Sequence, residues 1–326
     1  MRIALFTDGI QPYVTGGMQK HSFYLAKYLA RQDVDVELYH FAVHEDAGDP
    51  LGLDVFEEEE RQRIQNHLFE WPAEDAFPGH YIRASYRYSE RVYWEFLDEG
   101  EADLIIAKGF AGWRTIEAKK DGEALPPIAV KFHGMNMFQK PPSFKGWLMQ
   151  FLFRKPVRFN MEHADRVISY GGRITDVIEQ QGVPKERILE APAGIEADWL
   201  QPPSEEVHTP RRFLFVGRYD RLKGLGTLLN AVRAIPQEKP FELHLVGDIP
   251  ERFAAGDARI QVHGPVHDAE QMKGFYDSCD VLLLPSHSEG MPNALLEAMG
   301  RGMTAIATDV GAVNELLSDE CGHLIA

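Results

Sequence analysis

The 326 residues carry 34 Lys and Arg against 50 Asp and Glu, a net charge of −16, and 44% of them are apolar. That length predicts about two domains of roughly 100–200 residues each, and the acidic balance disfavours a nucleic-acid partner. The two cysteines, Cys279 and Cys321, argue against a disulfide scaffold and suit a reducing cytosol. No signal peptide is legible, and no run of about 18 apolar residues is available to span a membrane.

The first half opens RIALFTDGIQPYVTGGMQKHSFYLAKYLA, from Arg2 to Ala30. An apolar strand at 3–6 runs into a loop with Gly16 and Gly17. Phe23, Tyr24, Leu25, Tyr28 and Leu29 then make a stripe at helical spacing. Further strands are predicted at 34–39, 103–107, 128–132, 167–169 and 188–190. Residues 57–71, EEEERQRIQNHLFEW, read as a helix with a solvated acidic face, and the tyrosine-rich stretch 75–89 gives no assignable element. In residues 143–159, SFKGWLMQFLFRKPVRF, Trp147, Leu148, Phe151 and Leu152 fall at helical spacing, with Phe153 beside them and Pro156 placed to end or kink the helix. Lys145, Arg154, Lys155 and Arg158 flank them. Two readings stay open: a core-packed helix with solvated ends, or an interfacial helix on an anionic membrane.

Residues 200–212, rich in proline and charge, read as a linker. Domains are therefore drawn at 1–200 and 212–326, with the linker at 201–211. The second half repeats the opening pattern: a strand at 213–216, a loop with Gly217 and Gly224, and a helix carrying Leu225, Leu228, Leu229 and Val232. Strands follow at 242–246, 260–263, 281–284, 304–307 and 323–326. Continuous apolar runs such as DLIIA and VLLLP suit strands covered on both faces, and the alternation of strands with helices implies parallel sheets. The expected class is α/β, two doubly wound Rossmann-like domains. Such sheets bind ligands beyond the carboxyl ends of their strands, so a cleft between the two is expected.

Four stretches together resemble the retaining glycosyltransferases of family 4, which have the two-domain GT-B fold: Gly16-Gly17, FHG at 132–134, FVGRYDRLKG ending at Gly224, and PSHSEGMPNALLEAMGRGMTAIATDVGAVNE from Pro285 to Glu315. The last is similar to the family's E-x7-E motif. The resemblance implies transfer of a hexosyl unit from a nucleotide diphosphate sugar, UDP-sugar foremost, to a hydroxyl acceptor such as a sugar or lipid-linked glycan. It implies a cytoplasmic enzyme of glycoconjugate synthesis that needs no metal or other cofactor. Residues 143–159 are the candidate peripheral contact with the membrane's inner face. Family members usually continue through further helices beyond the strand that ends here at Ala326, so the C-terminal domain reads as short or incomplete.

The chemistry has its own logic. Departure of a diphosphate builds negative charge that fixed cations must meet. Arg218 and Lys223, five apart in a loop after a strand, can converge on one dianion, and the loop position predicts solvent-facing side chains. The loop lacks the G-K-[ST] ending of a Walker A sequence. Pro292 suits a first helical turn, leaving backbone N–H groups around Met291–Ala294 for the diphosphate or the sugar hydroxyls. Following the family, Glu289 would accept hydrogen bonds from sugar hydroxyls, and Glu297, eight residues on, would take the ribose hydroxyls. By the same resemblance His133 lies near the donor sugar, and Gly16, Gly17, Gly217, Gly247, Val266, Gly290, Met291, Pro292 and Asn293 contribute to donor binding. The bland alternatives are solvated loop cations, a satisfied loop histidine, a flexible glycine loop and glutamates that merely complement a helix dipole.

Asp33-Val34-Asp35 matches the D-x-D of metal-dependent glycosyltransferases but leads into a strand, where alternation explains it. No H-E-x-x-H or C-x-x-C spacing marks a metal site among the 13 histidines. A GT-B sugar epimerase and a non-catalytic nucleotide-sugar-binding partner are the rival functions.

Overall fold

A computed structural model describes the chain except for residues 44–47, 74–78, 140–143, 204–206 and 326 and the side chains of 144–149. It divides into two compact units. The first comprises Met1–His133, Leu148–Ser169 and Val177–Ala191; the second comprises Gly134–Trp147, Tyr170–Asp176 and Pro192–Ala326.

The strands of the first unit are β1 (Arg2–Phe6), β2 (Asp35–Phe41), β3 (Ile64–Phe69), β4 (Leu104–Lys108), β5 (Ile128–Lys131), β6 (Arg166–Ser169) and β7 (Ile188–Glu190). They form one parallel sheet in the order β3-β2-β1-β4-β5-β6-β7. The helices of the chain's first half are α1 (Gly17–Arg31), α2 (Glu58–Arg61), α3 (His80–Glu99), α4 (Trp113–Lys120), α5 (Phe144–His163) and α6 (Gly172–Gln180). One core joins Ile3 and Leu5 of β1, Val36 and Leu38 of β2, Ile64 of β3, and Ala26 and Ala30 of α1. The small alanines let the helix lie close to the sheet.

Three expectations change here. The acidic stretch 57–71 is not one helix. Its glutamates form only the single turn of α2, closed by reciprocal bonds between Glu57 and Glu60. The rest is β3, an edge strand in register with β2 from Val36↔Ile64 to Phe41↔Phe69. Backbone pairing with β2, together with the stacking of His67 on Tyr39 at 4.2 Å, outweighs the helical preference of the glutamates. Of the unassigned stretch 75–89, residues 75–78 lie outside the described residues, and the remainder opens α3. Its buried stripe is made by Ala84, Tyr88, Val92 and Phe96, at the spacing of an amphipathic helix. Tyrosine and serine on that face hid it, because each tyrosine carries a polar end: Tyr88 donates to the carbonyl of Thr7 at 2.7 Å. Finally, Pro156 does not end α5, which continues to His163.

In the second unit, β8 (Arg211–Val216), β9 (Phe241–Val246), β10 (Ile260–Val262), β11 (Val281–Leu284), β12 (Thr304–Thr308) and β13 (Gly322–Ile325) form a parallel sheet in the order β10-β9-β8-β11-β12-β13. Its helices are α7 (Leu225–Ala234), α8 (Ala269–Asp277) and α9 (Asn293–Gly300). Successive residues Leu214 and Phe215 of β8 enter two different cores, one with Leu295 of α9 and the other with Leu225 and Leu229 of α7. A strand covered on both faces has no polar alternation to display, hence the continuous apolar runs. Trp199 packs into the first of these cores, and Gln201 donates its amide to the Gly300 carbonyl at 2.7 Å. The segment before the proline-rich stretch therefore travels with the second unit.

In each sheet the strand order reverses direction once, between β1 and β4 and between β8 and β11. Loops leaving the carboxyl ends on either side of such a reversal diverge and open a crevice, the usual ligand position in open α/β sheets.

Candidate active site

In the second unit the loops after β8 and β11 meet at that reversal. Gly224 has φ +70°, and a Cβ there would stand 1.8 Å from the Pro285 carbonyl oxygen. Only a glycine allows this approach. His287 donates its amide to the Leu222 carbonyl at 2.7 Å, and the Asp220 side chain caps the short turn by accepting from the Leu222 amide at 2.9 Å. The outcome is an ion pair: Lys223 Nζ lies 2.7 Å from Glu289 Oε1 and 3.0 Å from Oε2. Ser286 Oγ adds a bond to Oε1 at 2.7 Å. Glu289 is 9% exposed. Lys223 is not the solvent-facing side chain its loop suggested; it is half-buried, its stem passes over Gly217, and its charge is shared with a carboxylate that lies deeper. Arg218 is exposed, and among the described residues its guanidinium has no ion-pair partner.

Other loops lock onto this pair. A Cβ at Gly247, after β9, would lie 2.0 Å from the Gly217 carbonyl oxygen. Gly311, after β12, has φ +62°, and a Cβ there would lie 2.4 Å from Gly290 O and 2.5 Å from Glu289 O. Ala312 donates to the Gly290 carbonyl at 2.8 Å. Pro292 sits one position earlier than expected, as the residue capping α9 rather than in its first turn, so Asn293 is the first helical residue. No side chain caps that end. Glu297, on the buried side of α9, accepts the Tyr276 hydroxyl at 2.8 Å. Met291 is buried and its sulfur accepts the Ala193 amide, while Val266 packs partly buried against the core that holds α9.

In the first unit, Gly16 caps α1 and Gly17 is its first residue. A Cβ on Gly16 would strike the Gln19 side-chain oxygen at 2.2 Å. His133 follows β5 and meets the His21 ring edge-on, with centroids 5.1 Å apart. His21 is the hub: its Nδ1 lies 2.9 Å from Lys108 Nζ and its Nε2 lies 3.2 Å from Lys131 Nζ. Both lysines are buried. A neutral imidazole offers one N–H and one lone pair, so both contacts are hydrogen bonds only when one amine is neutral. The electrostatics agree. Burial, then Lys108 and Lys131, hold His21 down at about 2. Burial lowers Lys131 to about 7, and it holds Lys108 well below the usual amine range, aided by Lys131 and opposed by Asp8. Burial, with Lys108, His21 and Lys131 alongside, keeps His133 well below the imidazole range and therefore neutral.

The D-x-D carboxylates are engaged by one cation: Arg63 lies 2.8 Å from Asp33 and 3.2 Å from Asp35. The set among the described residues that could hold a metal is His67, Glu95 and Glu99, whose ligand atoms lie within 4.8 Å of one another on β3 and α3.

Residues 15–199 match the family described as Glycosyltransferase Family 4. The chain belongs to glycosyltransferase family 4. Its residues 210–326 match the family described as Glycosyl transferases group 1. WcaL of Escherichia coli, provisionally assigned as a colanic acid biosynthesis glycosyltransferase, is 26% identical over 69% of the chain, a match spanning 58% of WcaL. The amylovoran biosynthesis glycosyltransferase AmsK of Erwinia amylovora is 29% identical over 44% of the chain, spanning 39% of AmsK. The MMP α-(1→4)-mannosyltransferase of Mycolicibacterium hassiacum is 23% identical over the whole chain and 85% of its own length. Among solved structures, sucrose-phosphate synthase from Thermosynechococcus elongatus superposes with a TM-score of 0.77 at 20% identity, over 99% of this chain and 85% of that one. Anabaena HepE in complex with UDP superposes with 0.63 at 17% identity, over 100% and 86%. These likenesses establish the fold of the family-4 chain as GT-B.

Sequence reasoning about the family-4 chain singled out Lys223, Glu289 and His133 but not His21, Lys108 or Lys131. A signal was present: LIIAK and IAVK both place a lysine at the last position of a strand whose other residues are mostly buried.

Proposed function

We propose that this family-4 chain transfers a hexosyl unit with retention from a nucleotide diphosphate sugar, a UDP-sugar, to a hydroxyl acceptor in cell-envelope or other glycoconjugate synthesis. The observation that carries the reading is the half-buried Lys223–Glu289 pair in loops that meet where the second sheet reverses. In the transfer, the bond from the anomeric carbon to the diphosphate oxygen breaks and negative charge grows on the leaving group. Lys223 and Arg218 meet that charge. Glu289 accepts hydrogen bonds from the sugar's hydroxyls and Glu297 from those of the ribose. The acceptor oxygen bonds to the anomeric carbon on the face that the diphosphate leaves, and its proton passes to the leaving oxygen. The ionisable neighbours that depress His133, namely Lys108, His21 and Lys131, are all basic, which favours this front-face route over a carboxylate nucleophile.

The positive charge in this scheme comes from side chains, so the reaction is proposed to need no metal. The UDP assignment draws on Anabaena HepE, described with UDP and with UDP-glucose. No helix among the described residues is long and apolar enough to cross a membrane. A peripheral contact at the cytoplasmic face through residues 143–159 is part of the proposal, supported by Phe151, which is 56% exposed on α5.

A thermal-shift comparison of UDP-, GDP- and ADP-glucose, with and without EDTA, tests the donor. A ligand at 100 times its Kd adds about 2.7 kcal/mol of stability. Stabilisation by UDP-glucose that survives EDTA, followed by slow donor hydrolysis that Lys223→Ala abolishes, supports the reading. Indifference to all three nucleotide sugars overturns it.

A further inference from the structure

His67, Glu95 and Glu99 take no part in the steps above. His67 lies on β3, at one edge of the first sheet, paired across to Tyr39 of β2. Glu95 and Glu99 stand four apart in the last turns of α3, so their side chains share one face of that helix. The ligand atoms of the three residues lie within 4.8 Å of one another. The His67 side chain is only 3% exposed, Glu95 is half-buried and Glu99 is exposed, which gives the set a closed floor and an open mouth.

Three observations separate this set from an ordinary acidic surface. First, His67 Nδ1 lies 3.4 Å from Glu95 Oε1. That is longer than the roughly 2.7–3.2 Å of a protein hydrogen bond. It is the spacing of two ligands on one tetrahedral zinc ion: nitrogen and oxygen, each about 2.0–2.2 Å from the metal, stand about 3.3–3.5 Å apart. Second, the imidazole is fixed. Tyr39 stacks parallel to it at 4.2 Å, and Nε2 is buried with no hydrogen-bond partner among the described residues, so the engaged nitrogen is the one that faces the carboxylates. Third, the negative charge is uncompensated. Among the described residues no lysine or arginine pairs with Glu95 or Glu99. Both sit at the negative end of the α3 dipole, whose last turn holds no basic residue. Burial, then the charges of Glu37, Glu95 and Glu99, hold the Tyr39 hydroxyl above the usual phenol range.

A cation that accepts both nitrogen and oxygen meets all three. One imidazole with two carboxylates suits zinc, whereas magnesium and calcium favour shells of oxygen alone. Three protein ligands leave a fourth position for water on the open side. Two costs limit the affinity. Coordination through Nδ1 moves the ring proton to Nε2, which has no acceptor among the described residues, and Glu99 must be drawn in from solvent. Binding in the micromolar range follows, weaker than in a closed structural zinc site.

We propose that His67 Nδ1, Glu95 and Glu99 bind one zinc ion, with water completing the tetrahedron, and that the ion fastens the edge strand β3 to the end of α3. No short motif marks the set, because its histidine comes from a strand and its glutamates from a helix 28 residues further on. β3 stands two strands away from the reversal between β1 and β4, and the residues proposed to hold the donor belong to the other unit. The ion is therefore structural, and the transfer itself still draws its positive charge from side chains.

Calorimetric titration of the full chain, free of any tag and stripped with a chelator, tests this with zinc chloride and magnesium chloride. Zinc should bind at one equivalent with a micromolar Kd and raise the melting temperature, and magnesium should bind at least about 100-fold more weakly. Glu99→Gln changes an exposed side chain, so it should keep the melting temperature measured before zinc is added, yet weaken zinc at least about tenfold. Glu95→Gln should do the same. His263→Gln breaks the contact of 2.9 Å between His244 and His263, the other place where two imidazoles meet among the described residues of the second unit, and should leave zinc binding unchanged. Absence of zinc binding, undiminished binding in folded Glu99→Gln, magnesium binding equal to zinc, or loss of binding in His263→Gln overturns the proposal.

Discussion

Lys223 closes on both carboxylate oxygens of Glu289, at 2.7 and 3.0 Å, across 66 residues of chain. The pair couples folding to chemistry. Lys223→Ala leaves a carboxylate, 9% exposed, with Ser286 as its named remaining donor. We expect a loss of about 1–3 kcal/mol, more than a free surface lysine would cost. Combining it with Glu289→Gln should cost less than the sum, with a coupling of about 0.5–3 kcal/mol in a urea-unfolding cycle. Strict additivity would mean that the pair does not form in solution.

Turnover should separate the partners of the second unit. Glu297→Gln is expected to weaken UDP binding with a smaller effect on the transfer rate, and Glu289→Gln to slow transfer by about 10²–10³ while UDP affinity holds. Tyr276→Phe removes the donor to Glu297 and should weaken UDP binding in the same direction but less. Calorimetry with UDP alongside donor turnover reads both quantities. Equal loss of UDP affinity in the two glutamate variants would end this division of roles.

Gly224→Ala should be among the most damaging single changes in the second unit, because the added methyl meets a backbone oxygen that no side-chain rotation can move aside. With its positive φ included, a cost above about 2 kcal/mol is expected. Gly226→Ala is the control: it lies two residues away on α7, and a Cβ there meets nothing within 4 Å. It should be neutral or slightly stabilising. Similar melting temperatures for the two variants would show that the two loops are not in contact.

Lys131 predicts a pH dependence. Its folded pKa of about 7 lies below its ordinary 10.5, so between these values the unfolded chain holds a proton that the folded chain does not. Stability therefore rises with pH from about 7 to 10.5, by up to about 1.4 kcal/mol per pH unit for this group. Lys131→Met should flatten the rise measured by urea unfolding between pH 7 and 9.5, leaving what Lys108 contributes. The same slope in both proteins would assign the rise elsewhere.

If residues 143–159 contact a membrane, the chain should sediment with anionic vesicles at low salt and release as salt is raised. Phe151→Glu, at an exposed position, should abolish binding without changing the melting temperature appreciably. Absence of binding by the wild-type chain would assign α5 to the protein interior alone.

The sheets were legible because strands covered on both faces concentrate valine, leucine and isoleucine. β11 begins and ends with its apolar run, Val281 to Leu284. The edge strand β3 was not, because an edge needs no such run and its preceding glutamates favour a helix. Nor was α3, whose core face is written in tyrosine and serine. At the site, motif spacing marked Lys223 and Glu289 as separate groups, but their pairing depends on how closely Gly224 and Pro285 approach. His21 was invisible for a different reason. A histidine on an amphipathic helix is unremarkable until two strand-terminal lysines from elsewhere in the chain are brought to its two nitrogens.

The glycines at 224, 247 and 311 bring four loops into contact peptide plane against peptide plane, with no side chains as spacers. Those loops behave as a laminate. A designer seeking a new donor preference has little freedom in their lengths, since one inserted residue would displace every layer above it. Side chains projecting from the stack, Arg218 among them, can be exchanged singly, whereas the loops themselves can be transplanted between related enzymes only as a block.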